Sequence, residues 1–233
     1  MNSSCGRKAV RVSWSRSTVL AMAVTSILIL ISCAAPKPVR GLAGPVTNME
    51  IAPDSTVLIL RPVLKFERID NEEPLSASDY QGEALEARIY TVAENIVKTR
   101  NLTVLEARQT NGREPGIYGR IREKAPQLSR GLINSHVNAL LQAVGENNEH
   151  TAILVSYVDV KVGSRGTWNP YSGAITSDDS KAILHAALIG CASARVLWKD
   201  QVLLREMPRT ESSQFHEALE LLFSNFPQKE ISG

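Results

Sequence analysis

Three cysteines and four histidines are the side chains of this chain best suited to nucleophilic or metal chemistry, and their spacing supports neither. His136, His150, His185 and His216 are scattered, without the His-Glu-x-x-His or Cys/His spacing that places two ligands on one metal. Cys191 has no second cysteine nearby and no His/Asp partner at a recognisable spacing, so it reads as a small hydrophobic residue at a turn. Asp178-Asp179 lacks the further oxygen ligands of a cation loop and reads as a solvated turn. There is no Gly-rich phosphate loop and no Gly-x-Ser-x-Gly elbow. The sequence therefore implies no catalytic residue, no metal and no cofactor. Two aromatics stand apart, Trp168 and Tyr171, in the turn-rich stretch Gly163 to Gly173. In an exposed loop they would offer the large, rigid contact area that protein interfaces favour, whereas the plainer reading folds Trp168 back onto a sheet edge.

Cys33 is different because of what precedes it. Arg7, Lys8, Arg11 and Arg16 form a basic stretch, Val19 to Ile31 is an apolar run of secretory-signal length, and a cysteine stands where cleavage is expected. Leu30-Ile31-Ser32-Cys33 resembles the lipobox of bacterial lipoproteins at all four positions. The resemblance implies that Cys33 becomes the first mature residue, with a diacylglycerol on its sulfur and an acyl chain such as palmitate on its amino group. Each buried methylene contributes about 0.8 kcal/mol, so two chains already anchor stably and three hold more firmly still. Ala34 follows, rather than the aspartate that favours inner-membrane retention, which implies the periplasmic face of the outer membrane. An ordinary cleaved secretory signal is one competing reading, and an uncleaved spanning helix is the other. It wants roughly 20 predominantly apolar residues, and this run is diluted by Thr25 and Ser26 and stopped by Pro36 and Pro38.

Charge changes meaning once that segment is set aside. Residues 1–32 hold four of the 26 basic side chains and none of the 24 acidic ones, leaving 22 against 24 and a net charge of −2. Nothing that remains has the clustered Lys/Arg footprint of a nucleic-acid binder, so that class is discarded. The expected partners are the membrane, through the acyl chains on Cys33, and an envelope protein. About 200 residues suit one domain. With few aromatics, Val, Ile, Leu and Ala must supply most of its core.

The elements that would position these residues follow from periodicity. Residues 33–54, rich in Pro and Gly, read as an extended tether, and 227–233 as a tail. Between them, 55–226 is expected to fold as one domain. Thr56 to Leu60 is a continuous apolar run suited to a central strand, with Arg61-Pro62 at its end or at a sheet edge. Leu85, Ile89, Val92, Ala93, Ile96 and Val97 recur at helical spacing and predict a helix over about 83–99. Leu102 to Ala107 offers a short strand, and residues 110–130 read as a long loop or a broken helix. Ile133, Val137, Leu140, Leu141 and Val144 predict a helix over about 131–144, with Gly145 available as its stop. Ala152 to Val162, Lys181 to Ile189 and Arg195 to Arg205 read as strands, the last two as a hairpin. Phe215, Ala218, Leu219, Leu222 and Phe223 mark a final helix.

The order strand-helix-strand-helix-three strands-helix predicts an α/β domain, a mixed sheet with amphipathic helices packed on it. Together with the lipobox, the strand Thr56 to Leu60, Thr103-Val104-Leu105-Glu106, Thr151-Ala152-Ile153-Leu154-Val155 and the hairpin Ala187-Leu188-Ile189 to Arg195-Val196-Leu197-Trp198, it resembles a group of periplasmic domains. That group includes the curli-secretion lipoprotein, the lipoprotein activators of penicillin-binding proteins and the amino-terminal domain of the Tol translocation protein. Where that hairpin turn usually carries Asp and Gly, this chain has Gly190 and Ala194. The resemblance implies a lipid-anchored, non-enzymatic interaction or assembly protein of the envelope. Alternatives are a subunit of an oligomeric secretion channel and an envelope hydrolase. The first would need membrane hairpins less polar than Gly163 to Ser180, and the second a nucleophile and base that the sequence does not display.

Overall fold

The computed structural model describes residues 37–41, 46–47, 55–69, 73–106, 116–147, 152–163 and 180–227. Thr56–Ile59 (β3) illustrates how its sheet is built. Val57 and Ile59 face one layer of helices, and Leu58 and Leu60 face the other. A strand buried on both sides needs this unbroken apolar run. β3 lies parallel to Thr103–Glu106 (β5) and to Ala152–Val162 (β6).

β3 ends before Arg61-Pro62, as expected, but the sheet position is not given up. The chain resumes as Val63–Arg68 (β4), parallel to the same β6. Ile59 stands opposite Leu154 and Val63 opposite Tyr157, so four steps on one side match three on the other. The extra residue is a bulge in which proline, lacking an N–H, removes no ladder bond. Beyond β6 the sheet is antiparallel: Lys181–Gly190 (β7) pairs with β6, and Arg195–Leu204 (β8) with β7. Two short pieces, Val39–Arg40 (β1) and Val46–Thr47 (β2), pair antiparallel with β8. The lanes therefore run β1/β2, β8, β7, β6, β3/β4, β5. The expected mixed α/β architecture is what the structure shows.

Gly82–Thr99 (α1) and Ser213–Phe223 (α5) cover the first face. Leu85, Ile89, Ala93 and Val97 of α1, and Phe215, Leu219, Leu222 and Phe223 of α5, pack on Val57, Leu154, Leu188 and Val202. The scarce aromatics gather here: Trp198 stacks on Phe223 at 5.9 Å and meets Phe226 edge-on at 5.0 Å. Ile117–Glu123 (α2), Ala125–Leu128 (α3) and Ser135–Asn147 (α4) cover the second face, where Ile121, Leu128, Leu141 and Val144 meet Ile153, Val155, Ile189 and Cys191. The described part of the weakly patterned stretch, residues 116–130, thus takes the broken-helix form, while 110–115 lie outside the described residues.

Two helix boundaries differ from expectation for local reasons. Gly131 does not begin α4 but closes α3, with φ +79° and its N–H donating to Leu128 O at 2.8 Å. The Asn134 side chain then accepts from Val137 N at 2.9 Å and caps α4 at Ser135. Gly145 does not stop that helix, which continues to Asn147. It is a contact point: a Cβ there would lie 3.1 Å from Ala192 N and 3.2 Å from Cys191 Cβ. The turn Cys191–Ala194 joins β7 to β8, with Ala194 in the left-handed region at φ +46°. Among the described residues no helix is long and apolar enough to cross a membrane.

Candidate functional site

The helices on the second face cover only part of the sheet. Beyond Val155 and Ala187, side chains of the same phase turn polar: Tyr157, Asp159 and Lys161 on β6, His185 and Lys181 on β7, Gln201 on β8, and Lys65 and Glu67 on β4. Pairing aligns them in rows. Val63, Tyr157, His185 and Gln201 form one, and Lys65, Asp159, Ile183 and Leu203 the next.

The first row is roofed by the chain between α3 and α4. The Arg130 guanidinium lies 5.6 Å from the centre of the Tyr157 ring, and its Nη2 is 3.7 Å from Asp159 Oδ2. Lys199 Nζ donates to Arg130 O at 3.2 Å. Tyr157 and His185 stack at 5.9 Å, and both are buried. Burial, reinforced by Arg130 and opposed by Asp159, pushes His185 down to about 4. Burial, helped by Asp159, pushes the Tyr157 phenol up to about 12. Both are therefore neutral at neutral pH, where a general acid or base works best with a pKa near the ambient pH. The row offers hydrogen-bonding and aromatic surface instead of a proton-transfer pair.

At the rim, Glu67 pairs with both Lys161 and Lys65. The hydrogen bond from Lys161, then that from Lys65, holds its carboxyl below the usual carboxylate range. One residue beyond this cluster β6 gives way to the 164–179 segment, whose two ends are tied by Gly163 N–H donating to the buried Ser180 Oγ at 2.9 Å.

Trp168 and Tyr171, together with Asp178-Asp179, His150 and Cys33, lie outside the described residues. Of the remaining histidines, His136 is exposed on α4, His185 belongs to the row above, and His216 lies 3.1 Å from Glu220 on α5. The fold does not bring the three together, and among the described residues no group of three His, Cys, Asp or Glu could hold a metal. Cys191 is fully buried and burial pushes its thiol up to about 12, as expected of a packing residue rather than a nucleophile. Sequence reasoning missed the Arg130–Tyr157–Asp159–His185 grouping. Its one signal was polar residues in a single alternating phase of otherwise apolar strands.

No protein-family model matches the chain, and no curated protein matches it by sequence. Among solved structures, the PelC dodecamer from Paraburkholderia phytofirmans is similar at 10% identity and a TM-score of 0.38, over 80% of this chain and 93% of that one. The LpoB C-terminal domain from Salmonella enterica is similar at 12% identity and a TM-score of 0.33, over 67% and 86%. Lipoprotein GNA1162 from Neisseria meningitidis is similar at 14% identity and a TM-score of 0.33, over 74% and 98%.

Proposed function

We propose that this chain is a lipid-anchored, non-enzymatic interaction or assembly protein of the bacterial cell envelope, held at the periplasmic face of the outer membrane by acyl chains on Cys33. The observation that carries this reading is the four-position lipobox ahead of the α/β body. The states of His185 and Cys191 support it, since a neutral buried imidazole and a buried thiol pushed up to about 12 are suited to packing and recognition rather than to catalysis. A partner protein engages the end of the body at which β6 leads into residues 164–179, beside the Lys65–Glu67–Lys161 cluster, with Trp168 and Tyr171 as aromatic anchors.

A photoreactive residue placed at Trp168 in intact cells tests the proposal. It is expected to capture an envelope protein. Capture elsewhere on the body but not at Trp168 removes the loop from the interface. Hydrolysis of a cell-wall or ester substrate by the purified protein would contradict the non-enzymatic reading, and a ring-sized assembly in detergent would favour the channel subunit.

A further inference from the structure

The segment Lys37–Gly41 lies against β8 as a strap. Val39 stands opposite Leu203 and Arg40 opposite Val202, and Gly41 N–H donates to Gln201 O at 3.0 Å. Arg40 is its bolt. Nε lies 3.1 Å from Oδ2 of Asp200, whose side chain is fully buried. Nη2 donates to Leu221 O at 2.7 Å and to Ser224 Oγ at 2.5 Å, at the carboxyl end of α5. A cation suits that site because the last carbonyls of a helix lack intrahelical partners. Removing it would strand a buried carboxylate. Gly41 completes the fit, since a Cβ there would collide with the Gln201 side chain.

We propose that this strap is a membrane-proximal mount, which keeps the β8 edge of the sheet against the lipid surface instead of letting the body swing on a long tether. The inference rests on acylation of Cys33. From Cys33 to Ser55 the chain has 22 residue steps, enough as a free coil for a mean reach of roughly 26 Å. With the strap docked, only four steps separate Cys33 from Lys37, a reach of at most about 14 Å. The chemistry at the point of entry suits a lipid surface. Val39 is an exposed apolar side chain at 48%. Lys37, two residues before Val39, and Arg205, two residues after its partner Leu203, are both exposed, so the entry of the strap offers two cations to the headgroups of an anionic bilayer.

The test uses the acylated full-length mature chain on vesicles of phosphatidylethanolamine and phosphatidylglycerol carrying an energy-transfer acceptor in their headgroups. A thiol dye is placed at Arg205→Cys, beside the strap, or at Thr103→Cys, on the opposite edge strand. Four strand spacings, roughly 19 Å, separate β8, which Arg205 follows, from β5. Transfer from the Arg205 site is expected to exceed that from the Thr103 site by about twofold or more, given that separation. Arg40→Ala, or a Gly/Ser spacer inserted before Lys37 that leaves the strap itself intact, should bring the two sites together. Vesicle binding with equal transfer from both sites of the otherwise unaltered chain overturns the mount while leaving acylation standing. Absence of acyl chains from the protein purified out of bacterial membranes, read by its mass before the vesicles are added, overturns the acylation on which the mount rests, and the mount with it.

Discussion

His185 should make this fold acid-labile well before its carboxylates titrate. Burial, with the positive charge of Arg130 adding to it, lowers its pKa from 6.5 to about 4. A group whose folded-state pKa is depressed contributes stability that is present above its unfolded value. That stability drains away as pH falls from about 6.5 towards 4. A tenfold change in proton affinity corresponds to about 1.4 kcal/mol, so the full loss is on the order of 3 kcal/mol, and about 2 kcal/mol of it falls between pH 7 and pH 5. Glu67, held below the usual carboxylate range, contributes only at lower pH, and Asp200, raised by burial, changes stability in the opposite sense, so a loss removed by the His185 substitution belongs to the histidine. The assay is urea unfolding of mature protein carrying Cys33→Ser, at pH 7 and pH 5, beside the same protein with His185→Gln. The variant loses stacking on Tyr157 and is less stable at pH 7, but it should lack most of the pH-dependent loss. Parallel losses in the two proteins would refute this reasoning, by showing that protonation of His185 is not resisted by the fold.

Three further outcomes follow from packing. Trp198→Ala removes the ring joining β8 to Phe223 and Phe226 and should cost about 3–5 kcal/mol, read by chemical denaturation. Gly145→Val drives a branched side chain into the backbone of the Cys191–Ala194 turn and should cost about 1–3 kcal/mol despite its modest size, seen as a lower thermal midpoint. Ser212→Ala removes the hydroxyl that accepts from Phe215 N at 3.3 Å and should cost about 1 kcal/mol by the same measure.

The parts of this fold legible in the sequence are those where one element meets one condition throughout. Ala152–Val162 and Lys181–Gly190 lie in the middle of the sheet, and their apolar runs betray them. α1 and α5 each bury one stripe at helical spacing. Where two demands compete, sequence pattern reads less well. Proline at position 62 marks correctly that β3 has ended, but not that a one-residue offset brings β4 back to the same partner. Gly145 carries the mark of a helix stop, and only the approach of the Cys191–Ala194 turn reveals its other use. Pairing as brief as Val39–Arg40 on β8 leaves no periodicity at all, so its segment reads as tether. The polar face is dispersed for a related reason. Arg130, Tyr157, Asp159 and His185 meet only through strand register and the roof between α3 and α4.

Metabolic labelling with a clickable palmitate tests the central claim most directly. Wild-type protein should carry the label, and Cys33→Ala should lose it and accumulate as the uncleaved, larger form. An unlabelled wild type, or equal label on both proteins, would contradict the lipid anchor.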